Sequence, residues 1–414
     1  MSNNNKTPAI RFKGFTDTWE QRKLGDIADI VGGGTPSTGN PSYWDGDIDW
    51  YAPAEIANQI YANSSQKKIT DLGYENSSAK MLPPGTVLFT SRAGIGKTAI
   101  LTRKGCTNQG FQSIVPHRGE LDTYFIFSRT EELKRYGELV GAGSTFVEVS
   151  GKQMAVMELI MPPTMREQQT IGGFFQQLDH LITLHQRKYD KLCVLKKTML
   201  DKMFPKGGSL YPEIRFAGFT DPWEQRKLED YVVVSTAKNV DGRFNKEDVL
   251  SVSGEYGIVN QIAFQGRSFA GSSVLNYGIV NTGDIVYTKS PLNSNPYGII
   301  KVNKGIPGIV STLYAVYRPQ DNVHTNFIQV YFEQHERMNN YMHPLVNKGA
   351  KNDMKVTAEN ALKGVVTFPS REEQVIISEF FDRLDSLITL HQRKYCGVVS
   401  WMLGVALVRL SSEK

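Results

Sequence analysis

The sequence predicts an α+β protein with two pseudo-repeated domains that are separated by two long antiparallel coiled-coil helices. Three observations lead to this fold class: a long internal repeat, helical spacing of apolar residues near the end of each repeat, and short β-rich runs between turn residues. The length of 414 residues accommodates two or three globular units. A hydrophobic content of 40% is enough for buried cores and excludes a wholly disordered chain.

Two segments of the chain occur twice. Residues 10–26 return at 214–230 with 14 of 17 positions identical, and residues 178–189 return at 384–395 with 11 of 12 identical. The residues between these segments barely align. Fixed ends around divergent middles are expected if the ends perform one shared mechanical task and the middles recognise two different things.

The divergent middles, 27–140 and 231–346, are predicted to be compact α+β domains. Runs of β-forming residues, such as TVLFT at 86–90 and DIVYT at 284–288, lie among Gly, Asn, Pro and Ser. Many loops are therefore expected in each domain.

Each repeat ends in a predicted helix. Thr164 and Ser370 each follow a proline and begin an S/T-x-x-E capping box. Apolar residues then recur at alternating spacings of three and four, which is typical of a coiled-coil seam. At about 1.5 Å per residue, such helices span on the order of 50–60 Å. The candidate seam and partner-docking residues are Phe174, Leu178, Leu181, His185, Phe380, Leu384, Leu387 and His391.

The two histidines of the seam leave two interpretations open. His185 and His391 occupy equivalent places in the two copies. They are either partly exposed polar positions that fix the helix register or contacts for a partner subunit.

These patterns predict the following division of the chain. The repeated segments at 10–26 and 214–230 are here called frame segments, and the two long helices are called spacer helices. The first frame segment and the first variable domain lie within 1–163, and the first spacer helix occupies 164–205. A linker rich in Gly and Pro follows at 206–213, where the helix cannot continue. The second frame segment and domain occupy 214–369, and the second spacer helix occupies 370–414 with a C-terminal tail unlike its counterpart.

Composition indicates a cytoplasmic protein with no membrane partner. The start of the chain lacks the pattern of a signal peptide, and the longest nearly apolar stretch, 397–408, is too short to cross a bilayer. The three cysteines lie far apart and are odd in number, which favours reduced thiols over disulfides or a zinc site. The formal net charge of +5 is too small to indicate nucleic-acid binding by itself.

No catalytic or metal site is predicted. Residues 91–98, SRAGIGKT, resemble a phosphate-binding loop but lack its first glycine. Residues 40–43, NPSY, resemble the Asn-Pro-Pro-Tyr motif of adenine methyltransferases but lack its second proline. The sequence also shows no spacing of residues that is typical of a catalytic nucleophile with its base or of the ligands of a metal ion. The chain is therefore predicted not to be an enzyme.

Basic and amide side chains in predicted loops are the best candidates for binding. Arg and Lys read guanine edges, and Asn reads adenine. The DNA-binding candidates are Arg92, Lys97, Lys289, Lys348, Lys351 and Asn352. Residues 187–206 also carry seven basic and two acidic residues, which is either a solvated helix face or a contact for phosphate or a partner.

The helix motif P-x3-EQ-x2-I-x2-FF-x2-LD-x-LITLHQRK resembles that of the specificity subunits of Type I restriction-modification systems. It begins at Pro163 and again at Pro369. Residues 33–50, GGTPSTGNPSYWDGDIDW, also resemble a common opening of one class of target recognition domains in this family. The resemblance covers nearly the entire chain.

The resemblance implies that each target recognition domain binds one half of a bipartite, asymmetric site in double-stranded DNA, while the helices set the gap. Two modification subunits would bring S-adenosylmethionine and methylate an adenine in each half. Restriction subunits would use ATP and Mg to cut unmodified DNA, and this chain would bind no cofactor itself. A coiled-coil scaffold that binds no DNA and a stand-alone DNA methyltransferase are the alternatives.

Overall fold

The structure is a computed structural model. It describes residues 7–56, 59–92, 94–142, 148–271, 273–289, 295–348 and 354–411, with the backbone alone for 347–348, 354–355 and 398–411. The chain forms two compact units: unit 1 is Met1–Leu184 with Tyr395–Lys414, and unit 2 is His185–Lys394. Within the described ranges, no helix is both long enough and apolar enough to cross a membrane.

Unit 1 combines strands with mostly short helices. Its strands are β1 (Glu20–Lys23), β2 (Ala28–Gly32), β3 (Trp44–Tyr51), β4 (Tyr61–Ala62), β5 (Lys67–Ile69), β6 (Val87–Phe89), β7 (Thr98–Leu101), β8 (Gly105–Thr107), β9 (Gln112–Pro116) and β10 (Glu158–Met161). Its helices are α1 (Leu24–Ile27), α2 (Asp71–Glu75), α3 (Thr123–Phe127), α4 (Thr130–Gly141), α5 (Gly151–Ala155) and the first part of α6 (Met165–Lys202). The main sheet has the order β2-β9-β6-β7-β4, and a smaller sheet has the order β5-β3-β8.

The main sheet of unit 1 is buried on both faces. Val87 and Phe89 pack in one apolar cluster with Phe125 and Ile171, whereas Leu88, which points to the opposite face, lies in another. A continuous apolar strand is expected where both faces are covered. Ile171 comes from α6, so the long helix contributes to the core of this unit.

Unit 2 has the same mixture of elements in a different arrangement. Its strands are β11 (Glu224–Lys227), β12 (Val232–Val234), β13 (Leu250–Ser253), β14 (Gly257–Asn260), β15 (Gly278–Val280), β16 (Ile285–Thr288), β17 (Ile300–Val302), β18 (Gly308–Val310), β19 (Tyr314–Pro319), β20 (Asn347–Lys348), β21 (Met354–Lys355) and β22 (Val365–Phe368). Its helices are the end of α6, α7 (Gln261–Gln265), α8 (Thr325–Glu333), α9 (His335–Met342) and most of α10 (Arg371–Ser411). The main sheet has the order β12-β19-β16-β17.

The core of unit 2 is built around both long helices. Leu200 near the end of α6 and Phe381 near the start of α10 belong to one apolar cluster, together with Phe327 of α8. Phe204, two residues after the end of α6, is buried in the same cluster. The chain that follows the first long helix is therefore a packed part of unit 2.

The mixed α and β architecture with long helices confirms the predicted fold class. Within unit 2 the two long helices run antiparallel, because His185 contacts His391 while Lys196, further along α6, contacts the earlier residue Asp385. Two of the predicted seam residues, Leu181 and Leu387, are 44% and 45% exposed, whereas Ile171 and Ile377, nearer the start of each helix, pack into the cores of their units.

Candidate nucleic-acid interface

Two equivalent strand pairs close the two domains. β1 pairs antiparallel with β10, so that Glu20 faces Met161. β11 pairs with β22 in the same way, with Glu224 facing Phe368. The repeated sequence EQRK therefore forms a strand just before each variable domain, and the chain pairs with this strand again after the domain.

An arginine and a glutamate then join each frame segment to the long helix of the same half. Arg11 donates from Nε and Nη2 to Glu167 at 2.7 Å and 2.7 Å. Arg215 makes the same two bonds to Glu373 at 2.8 Å and 2.7 Å. Both glutamates are buried, and such two-point pairs fix orientation as well as distance. The hydrogen bond from each guanidinium to its glutamate raises the pKa of Arg11 and of Arg215.

The capping prediction is correct for the hydroxyl half of each box. Thr164 accepts from the backbone N–H of Glu167, and Ser370 accepts from that of Glu373. The glutamate side chains, by contrast, bind Arg11 and Arg215. In the sequence, only the repetition of both partners indicates this pairing. The arginine recurs in the duplicated IRF segment, and the glutamate recurs in the duplicated helix motif.

The glutamine after each glutamate holds the neighbouring domain. Gln168 accepts from the backbone N–H of Asp122 at 3.0 Å, and Gln374 accepts from that of His324 at 2.9 Å. Asp122 and His324 immediately precede α3 and α8. Each long helix thus fixes the start of a helix in its own variable domain.

Aromatic side chains repeat the same symmetry. Phe12 packs edge-on against Phe174 with ring centroids 5.5 Å apart, and Phe216 packs against Phe380 at 5.8 Å. The frame is therefore duplicated in its contacts as well as in its sequence.

The equivalent aspartates Asp179 and Asp385 have different partners. Asp179 accepts from the hydroxyl of Tyr124 at 2.7 Å, and burial raises the pKa of this carboxyl group. Asp385 pairs with Lys196, which also contacts Glu333 of α8 at 2.6 Å. Burial alone would lower the pKa of Lys196, but these two carboxylates raise it. Part of the basic run at 187–206 is thus neutralised inside unit 2.

The two repeated histidines meet each other in unit 2. Nδ1 of His185 lies 2.9 Å from Nδ1 of His391, so one ring donates a hydrogen bond and the other accepts. Burial lowers the pKa of His391, and His185, Lys188 and Lys394 lower it further. This contact agrees with the interpretation that the histidines fix the helix register.

The remaining candidates on the long helices differ in exposure. Phe174, Leu178 and Phe380 are half-buried, and Leu384 is buried in the core of unit 2. Leu181 and Leu387 are exposed at equivalent positions of the two copies. Their role in partner docking stays a prediction.

The candidates of the first domain lie at the turn between β6 and β7. These strands pair antiparallel, so the segment between them joins two strands, whereas a phosphate-binding loop joins a strand to a helix. Arg92 is half-buried and lies 3.7 Å from Glu148. Lys97 is exposed, and its backbone N–H is held by the hydroxyl of Thr90.

The structure describes only some of the candidates of the second domain. Lys289 is half-buried and donates its backbone N–H to Leu313. The backbone of Lys348 belongs to β20, which pairs with β21, but its side chain lies outside the described residues. Lys351 and Asn352 lie outside the described residues altogether. In the described part of the chain, no group of three or more His, Cys, Asp or Glu side chains is arranged to hold a metal ion.

Residues 16–193 match the family model of the Type I restriction modification DNA specificity domain. Together with the relatives that follow, this match shows that the chain is similar to the specificity subunits of Type I restriction enzymes.

Two curated relatives are named as specificity subunits of Type I restriction enzymes. The Type I restriction enzyme MjaIX specificity subunit of Methanocaldococcus jannaschii is 32% identical over 234 residues, which cover 54% of this chain and 54% of that protein. The EcoR124I/EcoR124II specificity subunit of Escherichia coli is 26% identical over 190 residues, which cover 41% and 46%. The chain thus spans about half the length of the curated relatives it matches.

A solved structure supports the fold over the full length. The S subunit of a Type-I restriction-modification system from M. genitalium has a TM-score of 0.54 at 11% identity, with 98% of this chain and 97% of that chain covered. At this identity the likeness concerns the fold alone.

Proposed function

We propose that this chain is the non-catalytic, sequence-specific DNA-binding subunit of a Type I restriction-modification complex. It recognises a bipartite, asymmetric DNA site and directs adenine methylation and restriction by its partner subunits.

The observation that carries this proposal is a duplicated frame that holds two different domains. The Arg11–Glu167 and Arg215–Glu373 pairs have the same geometry, and so do the strand pairs beside them. Between these anchors the sheets differ in strand order. Identical frames suit identical partners, and different domains suit different halves of one DNA site.

The proposed division of labour follows the predicted division of the chain. Target recognition domains within 1–163 and 214–369 each bind one half-site. The helices at 164–205 and 370–414, with the linker at 206–213, set the gap between the halves. Two modification subunits dock on the frame, where the exposed Leu181 and Leu387 are candidate contacts. S-adenosylmethionine, ATP and Mg belong to the modification and restriction subunits.

The test is a genome-wide map of methyladenine in cells with and without this chain, with its modification subunit present in both. A split, asymmetric motif should be methylated only when the chain is present. Purified chain with S-adenosylmethionine and DNA should transfer no methyl group by itself. Transfer by the chain alone would instead support a stand-alone methyltransferase, and an unchanged map would support a scaffold.

The two-domain assignment has a sharper test in a matched pair of variants. Lys97→Gln lies in the first domain and Lys289→Gln in the second. Each variant should relax the base preference in one half of the methylated motif and leave the other half unchanged. If either variant changed both halves, or if both changed the same half, the assignment of one half-site to each domain would be wrong.

A further inference from the structure

Exposed aromatic side chains are concentrated in one short stretch of unit 2. In the part of the chain whose side chains are described, five aromatic residues are exposed, and three of them lie within residues 256–269. These are Tyr256 at 59%, Phe264 at 47% and Phe269 at 56% exposure. Single exposed apolar residues are ordinary, but a group of large rings marks a contact surface.

The rings are held in a defined arrangement. The ring of Tyr256, at the tip of the β13–β14 hairpin, lies 5.2 Å from that of Phe264 on α7. Gln261 accepts from the backbone N–H of Phe269 at 2.7 Å and donates to Ser251 at 3.0 Å. The segment that carries Phe269 is therefore tied to strand β13.

A positive charge accompanies the rings. The guanidinium of Arg267 stacks over Phe269, with Cζ 4.5 Å from the ring centroid. Arg267 is exposed and makes no ion pair with any described residue. An arginine stacked on an aromatic ring keeps its N–H groups directed outward for phosphate or for the edge of a base.

The location of these residues indicates which ligand they bind. They lie within 231–346, the segment that has no alignable counterpart in the first half. A surface for identical partner subunits should recur in both halves, whereas a surface for one half-site should occur once. In duplex DNA an aromatic ring packs against a thymine methyl group, and arginine binds a phosphate or a guanine edge.

We propose that Tyr256, Phe264, Arg267 and Phe269, here called the aromatic–arginine patch, contact the DNA half-site read by the second domain. Phe269 packs against a base or its sugar, and Arg267 binds a neighbouring phosphate or base edge. This inference rests on the proposed function and adds specific residues to it.

The test uses the chain assembled with its modification subunits. The probe is a duplex that carries the motif methylated in cells, and binding is measured over a series of salt concentrations. Phe269→Ala should weaken binding about ten-fold, because the loss of one contact to a base pair in a specific site has an effect of this order. Arg267→Gln should reduce the salt dependence by about one phosphate contact. Leu275→Ala, an exposed apolar change in the same domain, is the control and should change neither quantity.

The outcomes of this experiment separate a failure of the inference from a failure of the proposed function. If both variants assemble, melt like the unchanged chain and bind the probe with the same affinity and salt dependence, the inference is wrong. If they lose the modification subunits, the patch is a protein contact, and the inference is equally wrong. If Phe269→Ala does not fold, Arg267→Gln alone decides. If the unchanged complex shows no preference for the probe, the proposed function itself fails.

Discussion

Phe204 offers the most direct test of the packing in unit 2. Its ring centroid lies 5.8 Å from that of Trp223, 5.8 Å from that of Phe327 and 6.2 Å from that of Phe381. The guanidinium carbon of Arg337 lies 4.3 Å from the same centroid. Phe204 is 1% exposed although it lies just beyond the end of the first long helix. We therefore expect it to hold that helix end, the second frame segment and the second domain together.

The magnitude follows from the area and volume that the ring fills. A buried phenylalanine removes about 150–250 Å² from water, which at about 25 cal/mol per Å² corresponds to about 4–6 kcal/mol as an upper bound. Measured Phe→Ala changes in cores cost about 3–5 kcal/mol, because the cavity relaxes only in part. Phe204→Ala should therefore lower the free energy of unfolding of unit 2 by about 3–5 kcal/mol. For a unit of this size that is a fall of about 6–20 °C in Tm.

The assay is thermal and urea unfolding of the chain, followed by near-ultraviolet circular dichroism. Tyr211→Ala is the matched control, because Tyr211 lies in the same connecting segment but is exposed. Its effect should stay within about 0.5 kcal/mol. If Phe204→Ala lowered the unfolding free energy by less than about 1 kcal/mol, the ring would not be packed as described, and the segment after α6 would be a passive linker.

Two further predictions concern the long helices. The lowered pKa keeps folded His391 neutral where the unfolded chain takes up a proton, so stability should fall as pH drops through about 6.5, the ordinary histidine value. Urea midpoints measured at about pH 7.5 and about pH 5.5 should show a smaller loss for His391→Asn, and parallel losses would contradict the contact with His185. Tyr124→Phe removes the hydrogen bond to half-buried Asp179 and should cost about 1.5–3 kcal/mol of unfolding free energy, since bonds to charged groups are the stronger ones. Tyr136→Phe, which loses a bond to a neutral backbone carbonyl, is the control, and an equal cost for both would show that the charge of Asp179 adds nothing.

The two long helices could be predicted from the repeat, because a capping hydroxyl and helical spacing are local patterns. The partner of Glu167 was not predictable in the same way. A glutamate three residues after a threonine is typical of a capping box, and no local pattern points to Arg11, which is 156 residues away in the chain. The duplication held that information, since an arginine and a glutamate recur together.

The apolar spacing along the long helices does not reveal what each apolar side chain packs against. A spacing of three and four describes any helix with one apolar face, whether that face packs on a second helix or on a domain. Ile171 and Ile377 satisfy the spacing by packing into the cores of their own units, and Leu384 does the same. Leu181 and Leu387 satisfy it while they remain exposed. Only the tertiary contacts separate these cases.

The DNA-binding candidates show why the variable domains were the least predictable part. The candidates are basic and amide residues in predicted loops, but exposure and pairing decide which of them are available to a ligand. Arg92 lies beside Glu148, whereas Arg267 stacks on a ring and makes no ion pair with any described residue. No spacing rule distinguishes these two arginines, because the difference lies in residues brought together by the fold. The residues of the frame can be predicted because they recur in both halves of the sequence. A recognition surface occurs once, so the sequence offers no second copy for comparison.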